Sequence, residues 1–184
     1  MMILLFASGC TGGSPGEKTR QVRETYTGAE GFVMTAKVTA DYGERVYEYT
    51  LRYTYVKDGD GQIEVLEPEL IAGIQAVVRE DGLELIYDGA SLETGRLSGD
   101  GLTPMDALPA MVRAWKEWAA TEEGAETLGK TKTLRITFET ESSDGDPIVH
   151  SAWFDEESYI PLQAETSVED FTVIRCEVTE FEFT

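Results

Sequence analysis

A chain of 184 residues is sized for one domain. Apolar residues make up 41% and aromatics 10%, enough to build a core and more than a disordered chain carries. Against 15 basic residues stand 35 acidic ones, a net charge of −20, and the resulting field repels nucleic acid, so nucleic-acid binding is excluded as a function class. No apolar run reaches the roughly 20 residues of a membrane-spanning helix.

The chain begins with the apolar run Met1–Phe6, followed by Ala7, Ser8 and Gly9 and then Cys10. A short hydrophobic stretch before small residues is the build of a secretory signal. With a cysteine directly behind it, the segment resembles a bacterial lipobox. The resemblance implies that residues 1–9 are a lipoprotein signal peptide and that Cys10 carries the lipid. The protein is then exported and held at the bacterial membrane through that anchor, on the extracytoplasmic side. The box begins with Ala7 where Leu is usual, and no Lys or Arg leads it. The segment is also shorter than the usual span of about 15–30 residues. A start codon assigned too late would account for the length and the missing charge. The alternative is a buried first strand ending in a turn. Residues 10–30 read as the lipidated cysteine and a flexible tether, from the Gly, Ser and Pro of 11–16 and the weakly patterned, charged EKTRQVRETYTGAE of 17–30, which leaves room for a short helical turn.

From Phe32 the period becomes two. Phe32, Met34, Ala36, Val38 and Ala40 share a face opposite Thr35, Lys37 and Thr39, which predicts a half-buried strand. After the turn material Asp41–Glu44, a second strand carries Tyr47, Tyr49, Leu51, Tyr53 and Tyr55 on one face. Further strands are expected at Gln62–Leu66, Ile71–Arg79, Leu83–Asp88 and Ser91–Arg96, with Asp81-Gly82 and Asp88-Gly89 as hairpin turns. Thr103-Pro104-Met105-Asp106 is a helix start: an N-cap, a proline at the first position and an acid in the first turn. Met105, Leu108, Val112, Trp115 and Ala119 form its apolar stripe, and Pro109 is expected to kink or restart it. Gly124 and Gly129 end this region. Strands return at Thr131–Thr140, Ile148–Asp155, Pro161–Val168 and Phe171–Phe183, with a turn at Ser143–Asp146. Strands, one main helix, then strands predict a mostly β, α+β domain over 31–184: a curved antiparallel sheet with the helix packed on one face.

Little in this pattern points to chemistry. Asp58, Asp60, Gly61, Ile63 and Glu67 match positions of an EF-hand loop, but Val56 stands where the first Asp belongs and the flanks are strands, so a hairpin turn with an acidic tip is the reading. His150 is the only histidine and is expected on the polar face of its strand, in solvent. Cys176 alternates with apolar residues and reads as a small core residue, although a bridge to Cys10 is possible on count alone. No pair of carboxylates is marked out as acid and base, and no nucleophile motif is present, so neither an enzyme nor a metal or cofactor is expected.

Two hairpins carry a family resemblance. Val78-Arg79-Glu80-Asp81-Gly82-Leu83-Glu84-Leu85-Ile86-Tyr87-Asp88, with Glu67-Pro68 ahead of it, looks like a hairpin of the LolA/LolB lipoprotein-carrier superfamily. Ala152-Trp153-Phe154-Asp155-Glu156-Glu157-Ser158-Tyr159-Ile160-Pro161-Leu162 resembles another, and the helix at Thr103–Ala120 stands between them as it does in that superfamily. The resemblance implies an unclosed half β-barrel whose open side is plugged by helix and whose concave face is apolar. It also implies a non-catalytic protein that binds a lipid, acyl chain or lipoprotein. In GerS-like or RseB-like members it implies a surface module or sensor that docks a protein partner. The residues placed to line such a concavity are Tyr47, Tyr49, Leu51, Tyr53 and Tyr55 on the strand and Met105, Leu108, Val112, Trp115 and Trp118 on the helix. A lined cavity and a filled core give the same pattern. Trp115 and Trp118 are three apart on one helix face and fit either core packing or a lid.

Overall fold

The computed structural model describes residues 16–79, 82–94, 99–142 and 145–184. The signal segment 1–9, Cys10, residues 11–15 and parts of the expected turns at Asp81 and Ser143-Asp144 lie outside the described residues.

The two-residue periods of the sequence become two antiparallel meanders. The first comprises β1 (Gly31–Asp41), β2 (Val46–Val56), β3 (Gly61–Glu67), β4 (Gln75–Val78), β5 (Leu83–Tyr87) and β6 (Ala90–Glu93). The second comprises β7 (Ala120–Leu128), β8 (Thr131–Glu141), β9 (Pro147–Asp155), β10 (Pro161–Val168) and β11 (Phe171–Phe183). The chain's last strand pairs with its first, Phe32 opposite Phe183 and Ala40 opposite Ile174, and this ladder welds both meanders into one sheet. Its order is β6-β5-β4-β3-β2-β1-β11-β10-β9-β8-β7. The outer strands β6 and β7 do not pair with each other, so the barrel stays open, the half-barrel that the sequence implied.

Those outer strands are joined by α2 (Pro104–Glu117), so the connection must cross the sheet, and the helix lies over its concave face. Thr103 caps it, its hydroxyl accepting from the Asp106 N–H at 3.3 Å. The helix runs unbroken through Pro109, where a kink or restart was expected. Pro109 is the sixth residue of the helix, so one bond, from its own position to the Met105 carbonyl, is missing while the helix continues on both sides. Leu108, Val112 and Trp115 are buried against Phe32, Leu51, Phe138 and Phe154 of the sheet, so the centre of the concavity is packed with side chains.

Three features depart from the sequence reading. Residues 17–28 are not a tether: they form a helix, α1 (Glu17–Gly28), with Val22 and Tyr26 fully buried. The Tyr26 ring meets Phe32, Trp115 and Phe154, and its hydroxyl donates to the Tyr159 carbonyl at 2.8 Å. The Glu123 carboxylate accepts from the Thr19 N–H at 2.8 Å and its hydroxyl at 2.7 Å, which satisfies a free donor in the first turn of α1. Next, Ala120–Leu128 is an edge strand where only glycine breaks were read. Finally, the expected strand Ile71–Arg79 starts later: Glu69–Ile71 is a 3₁₀ turn and pairing begins at Gln75.

Candidate functional site

Registers assign each residue of the β2–β6 wing to a face. Leu51 pairs with Val65, Tyr53 with Ile63, Ile63 with Ala76, Ala76 with Leu85, and Leu85 with Leu92. This inner face also holds Ile74, Val78, Leu83, Tyr87 and Ala90, with Thr94 at its far end bonded to the Leu83 carbonyl, so from β4 outward it bears no charged residue. Near the centre it is covered, and Leu51, Ile63, Val65, Ala76 and Leu83 are buried. Toward the edge it is not covered: Tyr87 is 52% and Leu92 63% exposed, with Ile74 and Leu85 half-buried. An uncovered apolar strip thus continues the packed core out to the sheet edge.

The expected lining residues divide along this boundary. Leu51, Tyr53, Leu108, Val112 and Trp115 belong to the packed core, where burial raises the Tyr53 phenol well above its ordinary pKa. Tyr49, Tyr55, Met105 and Trp118 are half-buried, and Tyr47 is exposed. Lys116 caps the Tyr55 ring, its ammonium 4.4 Å from the centroid and hydrogen-bonded to the hydroxyl. The sequence reading missed the outer strip, Ile74, Leu85, Tyr87 and Leu92. Its signal was present in the alternation of Leu83, Leu85 and Tyr87, but only the register joins those positions to Leu92 on one face.

One polar cluster is buried at the α2 side of the concavity. His150 belongs to the inner face, not the polar face expected of it, and is 2% exposed. Its Nδ1 is 3.1 Å from the Thr166 hydroxyl, and its ring stands edge-on to Trp118 at 5.0 Å. Its Nε2 is buried without a partner. Burial, reinforced by the nearby Arg113 guanidinium and opposed by Asp100, lowers its pKa to about 4. Gly101 closes this corner at φ +72°, and a Cβ there would come within 3.2 Å of the imidazole and 3.1 Å of Ala110. The Asp106 carboxylate accepts from the Gly101 N–H at 3.0 Å and fixes the loop onto the helix start. The imidazole and the Thr166 hydroxyl are both buried, with Gly101 and Ala110 packed against the ring's corner.

The remaining candidates are structural. Asp58 and Asp60 lie in the β2–β3 hairpin turn, where Arg79 holds Asp60 at 3.0 Å. Among the described residues, no group of three or more His, Cys, Asp or Glu side chains is placed to hold a metal. Cys176 is fully buried and free, and burial pushes its thiol up.

No protein-family model and no curated protein sequence matches this chain. The fold is nevertheless shared with solved structures. A conserved protein from Thermus thermophilus superposes with a TM-score of 0.57 at 11% identity, over 92% of this chain and 87% of that one. A LolA superfamily protein from Nitrosomonas europaea gives 0.51 at 10% identity, over 90% and 93%. LprF from Mycobacterium bovis gives 0.50 at 12% identity, over 92% and 95%. These likenesses are of fold, and with the open eleven-strand sheet and its concave helices they define a LolA-like fold. The half-barrel that the two hairpin motifs implied is the one the chain adopts.

Proposed function

We propose that this is a bacterial cell-envelope lipoprotein that works by binding, without catalysis, and that takes an apolar ligand such as an acyl chain or lipid on its concave face. The observation that carries this reading is the uncovered inner face of the outer wing, where Tyr87 and Leu92 are 52% and 63% exposed on a surface without a charged side chain from β4 outward. Such a strip favours an apolar occupant, because burying it removes hydrocarbon from water without desolvating a charge. Of the residues expected to line the concavity, Tyr47, Tyr49, Tyr55, Met105 and Trp118 are not fully buried, and in this reading they contact the ligand. The signal segment and Cys10 supply export and anchoring in this reading, with residues 11–16 as the remaining linker before α1. A second reading, a surface module that docks a protein on the same strip, is favoured by the packed centre, where Leu108, Val112 and Trp115 leave the concavity filled.

Native mass spectrometry of the chain from Thr11 onward separates the two. A reproducible added mass, identified as lipid by extraction and lost in Tyr87→Asp/Leu92→Asp, supports the apolar-ligand reading. A clean apo mass, unchanged after lipids are offered, overturns it for those lipids and leaves protein docking. Detergent phase partitioning of the full chain and of Cys10→Ser, expressed in a bacterial host, tests the anchor.

A further inference from the structure

Strand pairing is incomplete along one side of β2, inside the sheet. β2 pairs with β1 along all of Val46–Val56, but its other side meets β3 only over Thr50–Thr54. Among the described residues, no strand pairs with the β3-facing side of Val46–Tyr49. The ladder stops at Thr50 opposite Glu67 because Pro68 follows, with no N–H to extend it, and the chain turns away into Glu69–Ile71.

A cleft of about 760 Å³ opens beside this edge on the outer face of the sheet. Its floor carries Lys37, Glu48 and Glu177, and its wall is the departing chain with Glu67 and Glu69. Four carboxylates therefore face one ammonium, and among the described residues none of the five is in an ion pair. Exposed Val46 and Tyr47 flank the same edge.

We propose that this edge and cleft dock an extended, basic peptide segment of a protein partner, added to β2 as a strand. Unpaired backbone groups at strand spacing select an extended main chain. Alternate side chains of an added strand point to one face, so Lys or Arg at alternate positions would meet Glu48 on β2 and Glu67 and Glu69 at the end of the cleft, with Glu177 adding to the negative field from across the sheet. The positions between would lie on the side of Tyr47. A second copy of this chain is a poor occupant, because it brings a net charge of −20 to an acidic cleft. The carboxylates of this site are on the opposite face of the sheet from the apolar strip, and the charge-dependent part of the binding is independent of a ligand on that strip.

The test uses the full chain and a dye-labelled heptapeptide of alternating Lys and Val, read by fluorescence anisotropy and by hydrogen exchange. Binding is expected, with slowed exchange at the amides of Val46–Tyr49. The triple variant Glu48→Gln/Glu67→Gln/Glu177→Gln is expected to weaken it about tenfold or more. A control of equal charge change at exposed sites elsewhere, Glu139→Gln/Glu141→Gln/Glu169→Gln, should shift it less than about twofold. A peptide N-methylated along one edge should bind more weakly on the wild-type chain. Absence of binding, equal losses in the two triple variants, unchanged exchange at Val46–Tyr49, or equal binding of the N-methylated peptide would each overturn the proposal.

Discussion

Acid should destabilise this protein through His150 in a way that one substitution removes. The imidazole is 2% exposed, its Nε2 has no partner, and its pKa is lowered from 6.5 to about 4. A proton on the folded state would bury a charge near Arg113 with no acceptor, so the folded protein binds it less readily than the unfolded chain does. The unfolded state therefore holds more protons between pH 6.5 and 4, and stability falls as pH drops through that window. At pH 5 the gap spans about 1.5 pH units at about 1.36 kcal/mol each, or about 2 kcal/mol. Above pH 6.5 the contribution of His150 is constant. Many carboxylates titrate in the same range, so the informative quantity is a difference. Urea unfolding, followed by tryptophan fluorescence at about pH 7 and about pH 5, should show the wild type losing about 2 kcal/mol more than His150→Gln. Equal losses in the two proteins would refute the buried, neutral assignment of His150.

Tyr26→Ala should cost about 4 kcal/mol in urea unfolding, because it opens a cavity among Phe32, Trp115 and Phe154 and leaves the Tyr159 carbonyl unpaired. An effect near zero would mean that residues 17–28 are a tether after all. Thr103→Ala should cost about 1 kcal/mol by removing the N-cap of α2, and an unchanged denaturation midpoint would show that the cap is not used in solution.

Much of the architecture was legible because it rests on local chemistry. The alternation of Phe32–Ala40 and Tyr47–Tyr55 requires strands with one buried face, and Thr103-Pro104 followed by Asp106 starts a helix wherever it stands. α1 was illegible for a physical reason. Val22 and Tyr26 are its only large buried apolar residues, and a helix that buries so few amid charges has almost no periodic signal. Strand β7 was hidden in the same way, since an edge strand exposed on both faces needs no alternation. His150 was misplaced because β9 is apolar on both faces. Ile148, Ala152 and Phe154 point inward while Val149 and Trp153 point outward, and alternation alone does not say which set meets the core.

The sequence by itself determined most of the strands, the main helix and the acidic charge, because each follows from spacing or composition within a few residues. Only the tertiary structure decided which faces are occupied. Pairing β1 with β11 brings together residues about 150 apart and sets every inner face at once. That pairing and the crossing of α2 fill the middle of the concavity. The outer strip at Tyr87 and Leu92 is left uncovered, and β2 keeps a free edge beside an acidic cleft. A stripe of apolar residues specifies burial but not what it is buried against, and that depends on segments distant in the chain.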